Sequence, residues 1–170
     1  MTPKDFVLNY LSFALKSEEK SGISGIFILA QAAIESGWGK VAPGNAFFGV
    51  KDTDGINNNE QLLITTEYSR RANLKFPEII SVEPVIIKGQ HYFKYRIKDY
   101  FRKYNSPEEC FDDHANFFKS NPRYRFALAV AGDPEQMAIQ VARAGYATDP
   151  GYTDTLLKVI RRIKQEIEKL

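Results

Sequence analysis

Apolar positions cluster most densely in one stretch, Ile26-Phe27-Ile28-Leu29-Ala30-Gln31-Ala32-Ala33-Ile34. Its length and its Ala, Leu and Ile content predict a helix rather than a strand. A helix that is apolar all round is a buried one. Gly37 and Gly39 come next and stop it, Gly37 being suited to a left-handed cap. Glu35 then falls in the last turn of a core helix. Apolar neighbours and the negative end of the helix dipole both disfavour its charged form and push its pKa up. A raised pKa is what a general acid needs at neutral pH. A Glu that reaches solvent or pairs with an Arg would occupy the same place, so the residues alone leave both readings open.

The flanking pattern predicts further elements. Thr2-Pro3-Lys4-Asp5 reads as an N-cap, a proline at the first helical position and an acid in the first turn. Phe6, Tyr10 and Phe13 continue at helical spacing, and this helix should end near Lys16 to Glu19. Residues 41–59 are rich in Gly, Asn and Asp and read as loop. Within them Asp52-Thr53-Asp54-Gly55 resembles the start of a calcium loop. The glycine is misplaced for an EF-hand and Leu63 holds the closing Glu position, so a turn and no metal are expected.

Leu62 to Tyr68 is short, β-branched and aromatic, hence a strand. Ser69 to Pro77 is polar and basic, a loop. Ile79–Val82 and Val85–Ile87 flank Glu83-Pro84, and the proline implies an edge strand or a break. Lys88-Gly89-Gln90 is a turn, and His91 to Ile97 alternates as a further strand. Residues of about 60–104 should therefore form a small antiparallel lobe. Ser106-Pro107-Glu108-Glu109 starts a helix that Asn121-Pro122 breaks. Arg123 to Ala131 is a short helix, and Asp133 caps another that ends at Ala144-Gly145. In the last helix Leu156, Ile160, Ile163, Ile167 and Leu170 form an apolar stripe; Arg161, Arg162, Lys164 and Glu166 form the solvated face. The class is α+β: helices from about 1–50 and 105–170 in one domain, with a β excursion inserted between them.

Composition changes little of this. A chain of 170 residues suits one domain. Its formal charge of +2 gives no electrostatic case for nucleic acid. A single cysteine, Cys110, excludes an internal disulfide and reads as a core residue. The aromatics, twelve Phe, nine Tyr and one Trp, are numerous enough to serve both a core and a sugar-lined cleft. His91 and His114 read as ordinary strand and helix residues. No run is long enough to cross a membrane, and the N-terminus lacks the pattern of a signal peptide. The expectation is a protein cytoplasmic as made, exported by another route, or a fragment whose signal was removed.

Six motifs occur in order: Gln31-Ala32-Ala33-Ile34-Glu35-Ser36-Gly37-Trp38-Gly39, Asn45-Ala46-Phe47-Phe48-Gly49-Val50-Lys51, Thr65-Thr66-Glu67-Tyr68, Phe101-Arg102-Lys103-Tyr104, Asn121-Pro122-Arg123-Tyr124 and Ala144-Gly145-Tyr146-Ala147-Thr148-Asp149-Pro150. The series closely resembles the bacterial glucosaminidase family, glycoside hydrolase family 73. That resemblance implies a lysozyme-like fold, with a helical lobe, a β-lobe and a groove between them. It also implies an endo-β-N-acetylglucosaminidase that cuts the β-1,4 bond after N-acetylglucosamine in peptidoglycan.

Carried over by position, the general acid falls on Glu35, the second carboxylate on Glu67 and the active-site tyrosine on Tyr146. Asn45, Phe48 and Gly49 match the groove-wall motif. Tyr124 and Trp38 join them as substrate-binding candidates, although a ring beside the acid, as Trp38 is, is more often core. Two departures stand out. Both Ala46 and Phe47 separate Asn45 from the Phe-Gly pair, where one hydrophobic residue is usual. The segment from Tyr68 to Tyr100 is also longer than in typical members and carries an extra hairpin.

Glycosidic cleavage needs a proton on the leaving oxygen and help for an oxocarbenium-like carbon. Glu35 would give the proton. Either Glu67 holds a water, with inversion, or the sugar's own acetamido oxygen attacks, with retention. Tyr146 would stabilise the cationic carbon or the acetamido group. No cofactor is called for, and a monomer in the cell wall, periplasm or medium is expected. The rivals are a muramidase or lytic transglycosylase on the same fold, and a module that binds glycan without cutting it.

Overall fold

The computed structural model describes all residues except Thr148 and Pro150. Those two positions of the sixth motif lie outside the described residues. The chain divides into two compact units: Met1–Phe48 with Tyr104–Leu170, and Gly49–Lys103.

The first unit is helical. Helix α1 spans Pro3–Ser21 and α2 Gly25–Glu35. After the β excursion come α3 (Pro107–Ser120), α4 (Arg125–Leu128), α5 (Pro134–Arg143) and α6 (Tyr152–Ile167). Short 3-10 turns cover Pro43–Asn45 and Pro122–Tyr124. Capping explains the starts. Thr2 and Asp5 close a reciprocal capping box on α1, and Ser106 accepts the Glu109 N–H at the head of α3. Asp133 accepts the Glu135 and Gln136 N–H groups at the head of α5. Helix α1 runs past the expected end, because Gly22 at φ 76° supplies a left-handed cap whose N–H reaches Glu18 O at 2.8 Å.

Helix α2 is the centre of this unit and packs against α1, α3, α5 and α6. From Phe27 to Ala33 every side chain is buried, Gln31 included. Its start depends on close backbone approach. A Cβ on Gly25 would meet the Ala14 carbonyl oxygen at 2.7 Å, so only glycine fits there. The Glu18 carboxylate then accepts the Gly25 N–H at 2.8 Å, an anion at the positive end of α2.

The last helix departs from its expected pattern. Leu156, Ile160 and Ile163 are buried, but Leu170 is 61% exposed, since the helix ends at Ile167 and the stripe ends with it. Glu166, expected in solvent, is 3% exposed and sits between Arg162 at 2.7 Å and Lys169 at 3.3 Å. Those two cations make burial of the carboxylate tolerable.

The second unit is a three-stranded antiparallel sheet in the order β1-β3-β2: β1 Glu60–Ser69, β2 Glu78–Ile87 and β3 Gln90–Arg102. β2 is an edge strand and runs unbroken through Pro84, with a bulge between Ile79 and Ser81. An edge is where a residue without an N–H is tolerated. Lys88 at φ 50° and Gly89 at φ 76° form the tight hairpin turn to β3. The loop after β1 is tied down by Tyr95, whose hydroxyl donates to Arg71 O at 2.8 Å and whose ring packs on Phe76 at 5.5 Å.

Candidate active site

Glu35 is the final residue of α2. A Schellman closure ends the helix just beyond it: Gly37 N–H to Ile34 O at 3.4 Å and Trp38 N–H to Ala33 O at 2.7 Å. Gly37, Trp38 and Gly39 all hold positive φ, at 59°, 60° and 73°. For Trp38 that is a costly conformation, of the kind that marks functional turns. Its ring is half-buried and packs edge-on to Phe6 at 5.6 Å. Glu35 still reaches solvent, yet desolvation by the protein around its carboxyl holds its pKa above the ordinary value. Such a group is protonated further toward neutral pH than a free Glu.

Tyr146 lies just past the end of α5. Gly145 makes the turn at φ 78°, and the Arg123 guanidinium donates to Ala144 O at 2.7 and 3.0 Å and also to Gly145 O. Arg123 thus fixes the two peptide units before Tyr146. The Tyr146 ring packs on Phe118 at 5.7 Å, Tyr152 at 5.7 Å and Phe117 at 6.4 Å. Burial first, then the facing Tyr152, Glu35 and Tyr124 groups, push its phenol well above the usual range. It is therefore a neutral O–H donor that shares a field with the Glu35 carboxyl. Tyr124 itself is 1% exposed and packs on Phe118 at 4.9 Å. It backs Tyr146 and offers no free face to a sugar.

A buried polar chain lies behind these groups. The Gln31 amide donates to the Tyr152 hydroxyl at 2.8 Å, and its carbonyl faces His114 Nε2 at 2.7 Å. In that arrangement His114 Nε2 carries the proton. Burial lowers the His114 pKa to about 3, so the ring is neutral. Phe48 stacks on it at 3.6 Å. Burial, opposed by the Gln31 bond, raises the Tyr152 phenol to about 12. Gln31, Tyr152 and Arg123 are residues that sequence reasoning left without a role. Gln31 carried a signal, being the one polar side chain before Glu35 in an apolar helix and one turn ahead of it.

Asn45 sits at φ 56° and donates its Nδ2 to Tyr104 O at 2.9 Å, while Tyr104 N–H returns to Gly44 O at 2.8 Å. The intervening pair, Ala46 and Phe47, is buried, at 6% and 2% exposure. The extra residue is thus absorbed into the core, and Phe48 still reaches His114.

Gly49, at φ 57°, opens the second unit. There Glu67 lies on β1, half-buried, with Oε1 at 2.8 Å from Lys51 Nζ, and Lys51 also meets Asp99 at 2.8 Å. Lys51 belongs to the same motif as Asn45 and is the ion-pair partner that positions the Glu67 carboxylate. Among the described residues no cluster of ligand side chains suits a metal, and no helix is long and apolar enough to cross a membrane.

Residues 11–165 match the family model for glucosaminidase, described as mannosyl-glycoprotein endo-β-N-acetylglucosaminidase. The chain belongs to the glucosaminidase family. It is a glycoside hydrolase domain, and its fold is lysozyme-like. It is 30% identical to the peptidoglycan hydrolase FlgJ of Pseudomonas aeruginosa over 94% of this chain and 36% of that protein. It is 33% identical to the peptidoglycan hydrolase FlgJ of Salmonella typhimurium over 98% of this chain and 48% of that protein. The solved C-terminally truncated glycoside hydrolase domain of the Salmonella typhimurium protein superposes with a TM-score of 0.72, at 32% identity, covering 96% of this chain and 99% of that one. The chain spans about half or less of the length of these curated relatives.

Proposed function

We propose that this glucosaminidase hydrolyses peptidoglycan, cutting the β-1,4 bond between N-acetylglucosamine and N-acetylmuramic acid outside the cytoplasm. The observation that carries the reading is Glu35. A carboxyl with a raised pKa ends a rigid, buried helix, beside a neutral tyrosine hydroxyl. That is the pairing a glycosidase needs: a proton for the leaving oxygen, and a dipole for the positive charge that grows on the sugar. In this scheme Glu35 protonates the glycosidic oxygen. Tyr146 donates its O–H to the N-acetyl group and orients it. Glu67, paired with Lys51, is the base that activates water, and the product anomer is inverted. Phe48 and Trp38 line the sugar path, with Asn45 and Gly49 shaping the backbone beside it.

Glu35→Gln tests the acid role. It keeps shape and removes the proton, so turnover of purified cell walls should fall by roughly 10²–10⁴, the usual worth of one general acid or base, with the circular dichroism spectrum unchanged. Glu67→Gln should fall comparably, and wild-type product should show inverted configuration. A folded Glu35→Gln protein with wild-type turnover would remove the acid assignment. Retained configuration with near-normal Glu67→Gln turnover would move the attack to the acetamido oxygen.

A further inference from the structure

The face of the sheet opposite Glu67 carries a second arrangement with no part in that chemistry. Thr66 precedes Glu67 on β1 and so projects from the other side. In the sheet register Thr66 and Ser81 both pair with Arg96, which puts one guanidinium on the central strand between two hydroxyl residues on its neighbours. The bulge between Ile79 and Ser81 shifts the register of β2 beside this row and turns Ser81 to the same face as Arg96. One step along β3, Lys94 stands between Tyr68 and Glu83; one step back, Lys98 stands between Ile64 and Glu78.

These side chains line a shallow depression of about 390 Å³, bounded by Ile64, Thr66, Ser81, Glu83, Lys94 and Arg96. Its cations are unevenly used. Lys98 is paired with Glu78 at 2.8 Å. Neither Arg96 nor Lys94 makes an ion pair or side-chain hydrogen bond among the described residues, although Glu83 is the register partner of Lys94.

An unpartnered guanidinium between two hydroxyls is a carboxylate cradle. The fork offers two parallel N–H donors, and the flanking O–H groups take the outer lone pairs. Lys94 adds a second positive charge within the same depression. We propose that this row binds the carboxylates of peptidoglycan peptide stems, as a site separate from the glycan-cutting centre; the identity of the ligand rests on the proposed peptidoglycan activity. Glycan strands are neutral along their sugars and bear their negative charge on the stems, so charge complementarity selects the stems. Ile64 and Tyr68 give the stem's methyl groups an apolar border, each being more than half exposed at 57% and 52%. Glu83 at the rim opposes the bound carboxylate.

The test is a chemical-shift titration of the intact Glu35→Gln chain, which reads binding without turnover. One probe is a disaccharide bearing its peptide stem; the other is the same disaccharide with the stem removed and the lactyl carboxyl that this exposes capped as its primary amide, so that it carries no carboxylate. The stem-bearing probe should move the amide signals of Thr66, Ser81 and Arg96, and the stem-free one should leave them in place. Arg96→Gln should weaken stem-dependent affinity by about tenfold, consistent with loss of one charged hydrogen-bonding partner at an exposed site. Glu83→Gln should tighten it. Equal shifts from both probes, or unchanged affinity in Arg96→Gln, would overturn the proposal. Turnover of stem-free glycan by the chain with its native Glu35 reports on the glucosaminidase reading separately, so the two failures can be told apart.

Discussion

Two titratable side chains, Glu35 and His114, show how burial is divided between function and stability. Both pKa values are moved by desolvation, but the consequences for folding have opposite signs. Glu35 binds its proton more tightly when folded, so its contribution is present at low pH and is lost as pH rises through its folded value. Removing that charge, as in Glu35→Gln, should raise the melting temperature at neutral pH while it destroys activity. His114 is the reverse case. The unfolded ring protonates near 6.5 and the folded one near 3, so its contribution is present above about 6.5 and is lost on acidification between these values. His114→Gln, which keeps a donor for Gln31 and cannot titrate in this range, should show a flatter loss. The difference in unfolding free energy between the two proteins should change by at most about 1.4 kcal/mol per pH unit in that window. Urea titrations at several pH values measure it, and parallel curves would show that His114 is protonated in the folded state. Glu35 was legible because a carboxylate after an apolar run is conspicuous. The part played by His114 was not, because its partners, Gln31 and Phe48, lie 83 and 66 residues away in sequence.

At the scale of elements, the ends of helices do the positioning. Helix α2 stops on Glu35 through a Schellman closure with three successive positive-φ residues. Helix α5 stops two residues before Gly145, and Arg123 holds the carbonyls just past its end, those of Ala144 and Gly145, from another part of the chain. Gly145 cannot be replaced freely, since its φ is 78° and a Cβ would lie 3.2 Å from the Arg123 guanidinium. Arg123→Gln should therefore lower kcat on cell walls by about tenfold through loss of Tyr146 orientation, with KM nearly unchanged. Its stability cost should stay near the low end of the roughly 1.5–3 kcal/mol of a charged hydrogen bond, because Arg123 is solvent-exposed. Steady-state kinetics check this, and an unaltered kcat would deny Arg123 any role in placing Tyr146. Caps and turns were readable in advance at Thr2, Ser106, Asp133 and Gly89, where local chemistry decides the backbone. At Pro84 the sequence left an edge strand or a break open, and the strand order decides for the edge. The clamp at Arg123 and the burial of Glu166 were not readable, because each depends on packing that tertiary structure supplies.

For the whole molecule, hydrophobic patterning sufficed for the α+β class, and the ordered motifs pointed to the family that the profile match of residues 11–165 establishes. Motifs identify a family through short stretches at the ends of elements, which is also where this family's chemistry is expected to sit. Bond specificity lies at a finer level, in how a particular sugar is held, and one lysozyme-like framework can serve glucosaminidases, muramidases and lytic transglycosylases. The most direct measurement is therefore the identity of the new chain ends. Purified peptidoglycan digested by the protein, then reduced with borohydride and analysed by mass spectrometry, should yield reduced N-acetylglucosamine, and Glu35→Gln should yield none. Reduced or anhydro-muramic ends in the wild-type digest would contradict the glucosaminidase assignment, and a wild-type digest without new ends would contradict catalysis on this substrate altogether.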